Sequence, residues 1–467
     1  GCRTAPPHTR QKSLFNKAHL KGNSCSRQWD RCVTHFLKPY PIFARHVDFS
    51  TVSFGSALFI YLCSFLFRRT PTSFCFPLSN PRMRSMIVQL TGVNFINKGA
   101  EAMMRAAEHE VANWDETEAV ATDLRIGSFE QRRDAGLSHM MMVYSMKFPQ
   151  LARALGGAVQ AVPEPIRRRW NWVAPGEVDL ALDASGFALS DQWGTDTAER
   201  LTYTFEQIRY FGGRIVMLPQ AFGPFTRPDV RAACRKVLDL VDFVYAREQQ
   251  SYDYLLDLGV PESKADIAPD FTNLLHVAPS PVRTAASSYA CVVPNYRMVD
   301  MTEEGVEDAY MRFLKGTVRH LAQQGFEVRV VLHTTNPLDR QLAETVCADT
   351  QGTMDAPRDA LVIKRILGGS ELVVSSRFHG LVNALTQGVP AAATGWSHKY
   401  EYLMDEYDSG EYLISMDASP DEQRDHLQRL IDNRSEMKAR VEVAGERQRE
   451  RTRAMWSHVR SLARRIA

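Results

Sequence analysis

Chemistry in this chain concentrates first in the run Leu372-Val373-Val374-Ser375-Ser376-Arg377-Phe378-His379-Gly380. An apolar strand ends in two hydroxyls, then an arginine and a histidine, and a helix opens. Backbone N–H groups and the helix dipole at such a turn attract anions. Arg377 adds a planar fork suited to phosphate or carboxylate. His379 adds a group whose proton affinity suits acid–base work near neutral pH. The plainer alternative is that Arg377 pairs with a local acid and His379 caps the helix.

Other candidates sit at comparable places. Arg247 follows the apolar run 243–246, and its alternative role is an ion pair with Glu248 or Asp270. Asp183 and Asp270 each end a strand, as a general base does in a cleft, or as a helix cap does in a β–α turn. Asn94, Asn97 and Lys98 lie in the loop after the first strand. They either line a cleft or, for Lys98, face solvent. His398 and Lys399 follow Gly395-Trp396-Ser397, to close over a ligand or to sit in a solvated loop.

Positioning these groups requires strands that deliver them to one rim. Apolar runs at 87–90, 118–123, 179–183, 214–218 and 243–246 alternate with amphipathic helical stretches at 100–113, 198–211, 228–240 and 249–258. A second round begins at 290–294. Strands at 327–333, 371–375 and 391–394 alternate there with helices at 310–324, 339–350, 360–367 and 379–387. Repeated strand–loop–helix order predicts parallel sheets covered on both faces. The fold class expected is α/β, with two doubly wound, Rossmann-like domains at residues 86–278 and 289–467, facing a cleft. The Pro-, Ala- and Ser-rich stretch 279–288 reads as the linker. Ligands in such sheets bind beyond the carboxyl ends of the strands. From Pro420 the chain reads as helical and highly charged, and the tail from Glu436 to Arg464 as a solvated helix packed over a domain and not a nucleic-acid arm, because Glu436, Glu442 and Glu446 interrupt its bases. Met140-Met141-Met142 reads as helix core.

Composition excludes some functions. The net charge is +2, and the slight basicity comes from residues 1–85, whose only acids are Asp30 and Asp48. Nucleic acid is therefore not an expected partner. Cys234, Cys291 and Cys347 are far apart, so neither a metal site nor a disulfide framework is expected. Residues 1–85 carry no sustained period and read as a non-native or poorly ordered leader, with the chain proper beginning at Met86. The apolar run at 56–67, of about 12 residues, falls short of the roughly 20 that span a bilayer. A cytoplasmic location is expected, with anchoring through that run as the alternative.

Five motifs in order resemble the polysaccharide pyruvyl transferase family, over residues 86–405. They are Gly92-Val93-Asn94-Phe95-Ile96-Asn97-Lys98-Gly99-Ala100-Glu101; Asp183-Ala184-Ser185-Gly186; Leu218-Pro219-Gln220-Ala221-Phe222-Gly223-Pro224-Phe225; Ala246-Arg247-Glu248-Gln249-Gln250-Ser251; and Ser376-Arg377-Phe378-His379. The second departs from the family's glycine runs at Ala184 and Ser185, and an aromatic stretch, Phe187 to Trp193, follows it. The resemblance implies a glycosyltransferase-B-like fold. It also implies transfer of the pyruvyl group of phosphoenolpyruvate to a sugar, forming a ketal and releasing phosphate. Phosphoenolpyruvate is then a co-substrate, with no cofactor or metal. The acceptor is a glycan or lipid-linked saccharide, through which the protein associates peripherally with a membrane. On this reading His379 is the acid and Asp183 or Asp270 the base. Arg377, Arg247, Ser376 and Lys399 hold the donor, and Asn94, Asn97, Lys98, Gly99 and Gln220 line the cleft. The same architecture also serves nucleotide-sugar glycosyltransferases and epimerases, although no G-x-G-x-x-G loop is present in the second half. A non-catalytic carbohydrate-binding relative would share it too.

Overall fold

In the computed structural model, which describes residues 85–142, 159–277, 288–300, 306–395 and 399–464, the apolar runs form two parallel sheets. The first contains β1 (Met86–Thr91), β2 (Thr117–Asp123), β3 (Ser138–Met140), β4 (Trp172–Val173), β5 (Leu180–Asp183), β6 (Phe187–Leu189), β7 (Arg214–Phe222), β8 (Phe243–Ala246) and β9 (Ala265–Ile267). Their order is β4-β3-β2-β1-β5-β7-β8-β9, with β6 paired to β7. The second contains β10 (Tyr289–Val293), β11 (Glu327–Val331), β12 (Thr353–Asp355), β13 (Leu372–Ser375) and β14 (Ala391–Ala393), in the order β12-β11-β10-β13-β14. Every pairing is parallel. Val88, Leu90, Leu180 and Leu182 are buried because helices cover both faces, which is why these strands read as continuous apolar runs.

The strand order reverses between β1 and β5 in one sheet and between β10 and β13 in the other. Helices leaving the two central strands diverge to opposite faces there, and a crevice opens at the carboxyl ends. Thr91 pairs with Asp183 at the first reversal and Val293 with Ser375 at the second. Gly92, at φ +73°, makes the first crevice possible. A Cβ there would lie 2.7 Å from the Ser185 backbone.

Two sequence readings change. Met140 ends β3 as a fully buried strand residue, not a helical one. The strand is three residues long, too short for a period of two to be read. The strand expected at 214–218 runs on to Phe222, so that Pro219 and Gln220 lie inside β7. Pro219 cannot donate to a ladder, and the pairing of β7 with β8 shifts register between Met217 and Gln220 to accommodate it.

Helix α1 (Lys98–Ala112) follows β1, α2 (Phe378–Leu385) follows β13, and α3 (Arg434–Arg464) ends the described chain. α3 packs over the fold, as expected for the tail, and it does so on both sheets. Met437, Val441 and Ala444 pack into the core of the second sheet. Met455, Trp456, Val459 and Leu462 pack into the core of the first, against Trp114 and Phe271. Side chains of this size contribute about 1.5–3 kcal/mol each when fully buried, so this seam fastens a mostly charged helix to both sheets.

No helix among the described residues is long and apolar enough to cross a membrane. Residues 1–84 of the leader, with its apolar run at 56–67, and most of the 279–288 linker lie outside the described residues.

Candidate functional site

Arg377 leaves the second crevice on a backbone fixed by buried polar contacts. Ser376 is 2% exposed. Its hydroxyl receives the Tyr310 hydroxyl at 2.7 Å and lies 2.7 Å from Thr394 Oγ1. Its carbonyl accepts from Asn295 Nδ2 and Tyr400 OH, each at 2.9 Å. Ser376 was expected to touch a ligand; all its capacity is instead spent on aiming the next two residues. Arg377 Nη2 donates to Asp339, which also accepts from the Tyr296 amide at 2.9 Å. The arginine therefore does pair with a local acid, yet its Nε–H is enclosed and unpartnered among the described residues.

Arg247, after β8, reaches the same place from the first sheet. Its guanidinium lies 4.0 Å from the Phe378 ring centroid. Nη1 donates to Asp270 at 3.3 Å and Nη2 to the Gly186 carbonyl at 3.3 Å. Its Nε–H is also enclosed without a partner among the described residues. Of the two acids weighed as its counterion, Asp270 is in contact with it. Lys399 Nζ lies 5.6 Å from the same Phe378 centroid, and 5.1 and 5.8 Å from those of Phe187 and Tyr400. Burial among these rings, reinforced by the charges of Arg247 and Arg377, pushes its ammonium down to about 7. His398 lies outside the described residues.

His379 Nε2 lies 3.3 Å from Asp270 Oδ2, off the line a hydrogen bond needs. Burial alone would raise the Asp270 carboxyl. The His379 ring, Arg247 and the Thr272 hydroxyl at 2.6 Å outweigh it and hold the group well below the usual carboxylate range. Asp270 is thus a fixed anion that orients and charges its neighbours, not the free base anticipated. Asp183 is no exposed base either. It is fully buried and accepts from Thr91 Oγ1 at 3.0 Å, Ser185 Oγ at 2.7 Å and Gln220 Nε2 at 2.8 Å. Burial pushes its carboxyl up against the pull of those donors. It ties the end of β1 and the turn after β5 to β7, and Gln220, one of its donors, is itself 0% exposed.

The loop after β1 clasps the two halves instead of offering side chains to a ligand. Asn94 Oδ1 accepts from the amides of Ile96 and Asn97, and Asn97 Oδ1 caps α1 through Gly99 N. Asn97 pairs with Thr334, and Lys98 N donates to the His333 carbonyl at 3.2 Å. Lys98 Nζ, expected in the cleft or in solvent, is buried and bonded to Glu101, the Phe95 carbonyl and the Arg358 carbonyl.

Gly99 contributes by lacking a side chain. A Cβ there would lie 2.4 Å from His379 Nδ1. Gly99→Ala should push the imidazole away from its position and lower turnover by about tenfold or more, since misplacement by about 1 Å costs up to 10². Steady-state kinetics beside a thermal melt checks this. Full activity in the Gly99→Ala variant would show that the ring's position is unimportant.

Sequence reasoning missed Asp339, Tyr310, Thr394 and Asn295. Asp339, in the first turn of its helix, reads as an ordinary dipole partner, and the others read as core. His333 was missed as well. It is fully buried beside Asn383 Nδ2 at 3.1 Å, and burial, with the nearby His379 and Arg377, holds it well below its ordinary value. Two hollows, of about 220 and 440 Å³, open around Leu275, His276 and Arg453, and none of the groups above lines them. Among the described residues no cluster of His, Cys, Asp or Glu could hold a metal.

The architecture is shared with solved two-domain sugar enzymes of glycosyltransferase-B-like form. A UDP-GlcNAc 2-epimerase from Neisseria meningitidis bound to UDP-GlcNAc superposes with a TM-score of 0.52 at 10% identity, over 81% of this chain and 100% of that one. A putative UDP-N-acetylglucosamine 2-epimerase from Listeria monocytogenes gives 0.51 at 12% identity, over 78% and 94%. An Anabaena protein in complex with UDP-glucose gives 0.50 at 12% identity, over 80% and 99%. At these identities the likeness establishes the fold. The family model for polysaccharide pyruvyl transferase matches residues 97–398, and the chain belongs to that family.

Proposed function

We propose that this protein transfers the pyruvyl group of phosphoenolpyruvate to two hydroxyls of a saccharide. The observation that carries the reading is a pair of enclosed guanidinium nitrogens, Arg247 Nε and Arg377 Nε, without partners among the described residues, with Arg247 lying on the Phe378 ring and His379 held beside it by Asp270. Buried polar groups in folded proteins normally have partners, and a small dianionic or trianionic ligand supplies acceptors for both of them. With Lys399 beside them, the two arginines match a donor carrying both phosphate and carboxylate.

In this reaction His379 delivers a proton to the methylene carbon, making the adjacent carbon electrophilic. One sugar hydroxyl adds there and loses its proton. Phosphate leaves, and the second hydroxyl adds to the same carbon, closing the ketal. Lys399, whose amine is partly neutral near pH 7, is suited to accept the hydroxyl protons. Asp270 holds the imidazole, and the cationic groups around it hold the donor.

The test is release of inorganic phosphate from phosphoenolpyruvate in the presence of purified bacterial glycans, with ketal formation followed by NMR. Acceptor-dependent release is expected. If phosphoenolpyruvate neither binds nor turns over while UDP-N-acetylglucosamine does, the donor assignment is wrong.

A further inference from the structure

The aromatic stretch after β5 has no part in the donor chemistry. Phe187 is half-buried at the start of β6, and its ring meets the half-buried Trp193 edge-on, with centroids 6.0 Å apart. This corner adjoins the donor cluster at two points. Arg247 Nη2 holds the carbonyl of Gly186, directly before Phe187, and Lys399 Nζ lies 5.1 Å from the Phe187 ring. Arg297, from the second half, approaches the indole at 5.9 Å.

The corner is rigid. Asp191 accepts from the Thr226 amide at 2.7 Å, the Thr226 hydroxyl at 2.6 Å and the Arg227 amide at 3.1 Å, so the short turn carrying Trp193 is pinned to the loop that follows β7. It also holds two buried polar atoms without partners among the described residues, Ser190 Oγ and Trp193 Nε1. Ser190 itself is 0% exposed.

We infer that Trp193, walled by Phe187 and served by Ser190, is the acceptor subsite, and that its ligand is a pyranose of a glycan. A pyranose has one face of C–H bonds, which stacks on an aromatic ring, and an edge of hydroxyls, which satisfies an indole N–H and a serine hydroxyl. The cationic groups of the donor site lie beyond Phe187, so a sugar on the indole presents its far hydroxyls toward Lys399. An anionic aromatic ligand would choose the arginines, and a lipid chain would leave both polar atoms unpaired. The assignment of the ligand as an acceptor rests on the pyruvyl transfer reading; the assignment of the surface as sugar-binding does not.

The experiment measures binding of immobilised cellobiose, lactose and chitobiose to the full chain and, separately, binding of phosphoenolpyruvate by calorimetry. At least one disaccharide should bind. Trp193→Leu should weaken it by about tenfold, the size of a lost stacking contact. Trp193→Phe should recover part of that, because it restores a ring without the N–H. Phosphoenolpyruvate affinity should be unchanged in both, and a thermal melt should place both near the wild type. Failure of all three sugars to bind the wild type, or equal binding by Trp193→Leu, overturns the subsite. Loss of phosphoenolpyruvate binding with tryptophan-dependent sugar binding retained would overturn the donor reading and leave the subsite standing.

Discussion

His379→Ala should lower kcat by about 10²–10⁴-fold, the range for a positioned acid, with phosphoenolpyruvate affinity changed far less. The expectation follows from where the ring is held. Gly99 leaves room for Nδ1, Asp270 lies 3.3 Å from Nε2, and both arginines approach Phe378 or flank it in sequence. Anion binding is thus carried by other groups, and the imidazole is left for the proton. His379→Gln keeps a hydrogen-bond donor and loses the transferable proton, so it should be nearly as slow. Single-turnover rates with calorimetric Kd values separate the two effects. A Gln variant of nearly full rate would make His379 a binding residue and move the proton to Lys399.

The sheets were legible because their strands are buried on both faces and so read as unbroken apolar runs. Leu372–Ser375 and Leu180–Asp183 are examples. The motif residues at the strand ends were legible for the same reason, since a strand that stops at a hydroxyl, an acid or an arginine marks a rim. What the chain order concealed was which of them meet. Asp270 and His379 are 109 positions apart in sequence (379 less 270) and touch across two sheets. Arg377 and Asp339 belong to different β–α units. Nor does residue type show whether a polar side chain faces ligand or protein. Lys98, Ser376 and Asp183 resemble ligand-facing groups in the sequence, and each is consumed by internal bonds, while Gln220 spends its Nε2 on Asp183 and keeps an unpartnered Oε1 among the described residues. Pro219 inside β7 defied the rule that proline ends a strand, because a register shift absorbs its missing donor. The polar groups that remain unpartnered are the informative ones, and only the folded arrangement reveals them.

Asp270→Asn should destabilise the fold and lower catalysis together, and the two losses should separate with pH. Arg247 and Asp270 are each only 5% exposed as side chains. Removing one charge of such a pair leaves the other buried and uncompensated, at a cost on the order of 3–5 kcal/mol. The wild-type carboxyl is held well below its ordinary range in the folded state. For an acid with a depressed folded pKa, the stabilisation is fully present above the unfolded value of about 3.9. It is lost as pH falls through the folded value, because folding then competes with protonation of the unfolded chain. Denaturant titrations at neutral pH should therefore show a wide gap between wild type and variant, and the gap should narrow below about pH 4. The kinetic loss has another origin. Asparagine can still contact the His379 ring, but it carries no negative charge to balance an imidazolium, so turnover at neutral pH should fall in the variant beyond any loss of folded protein. Equal stability at neutral pH, or a gap that does not narrow in acid, would show that Arg247 finds its counter-charge elsewhere and that Asp270 is not the anion on which the site is built.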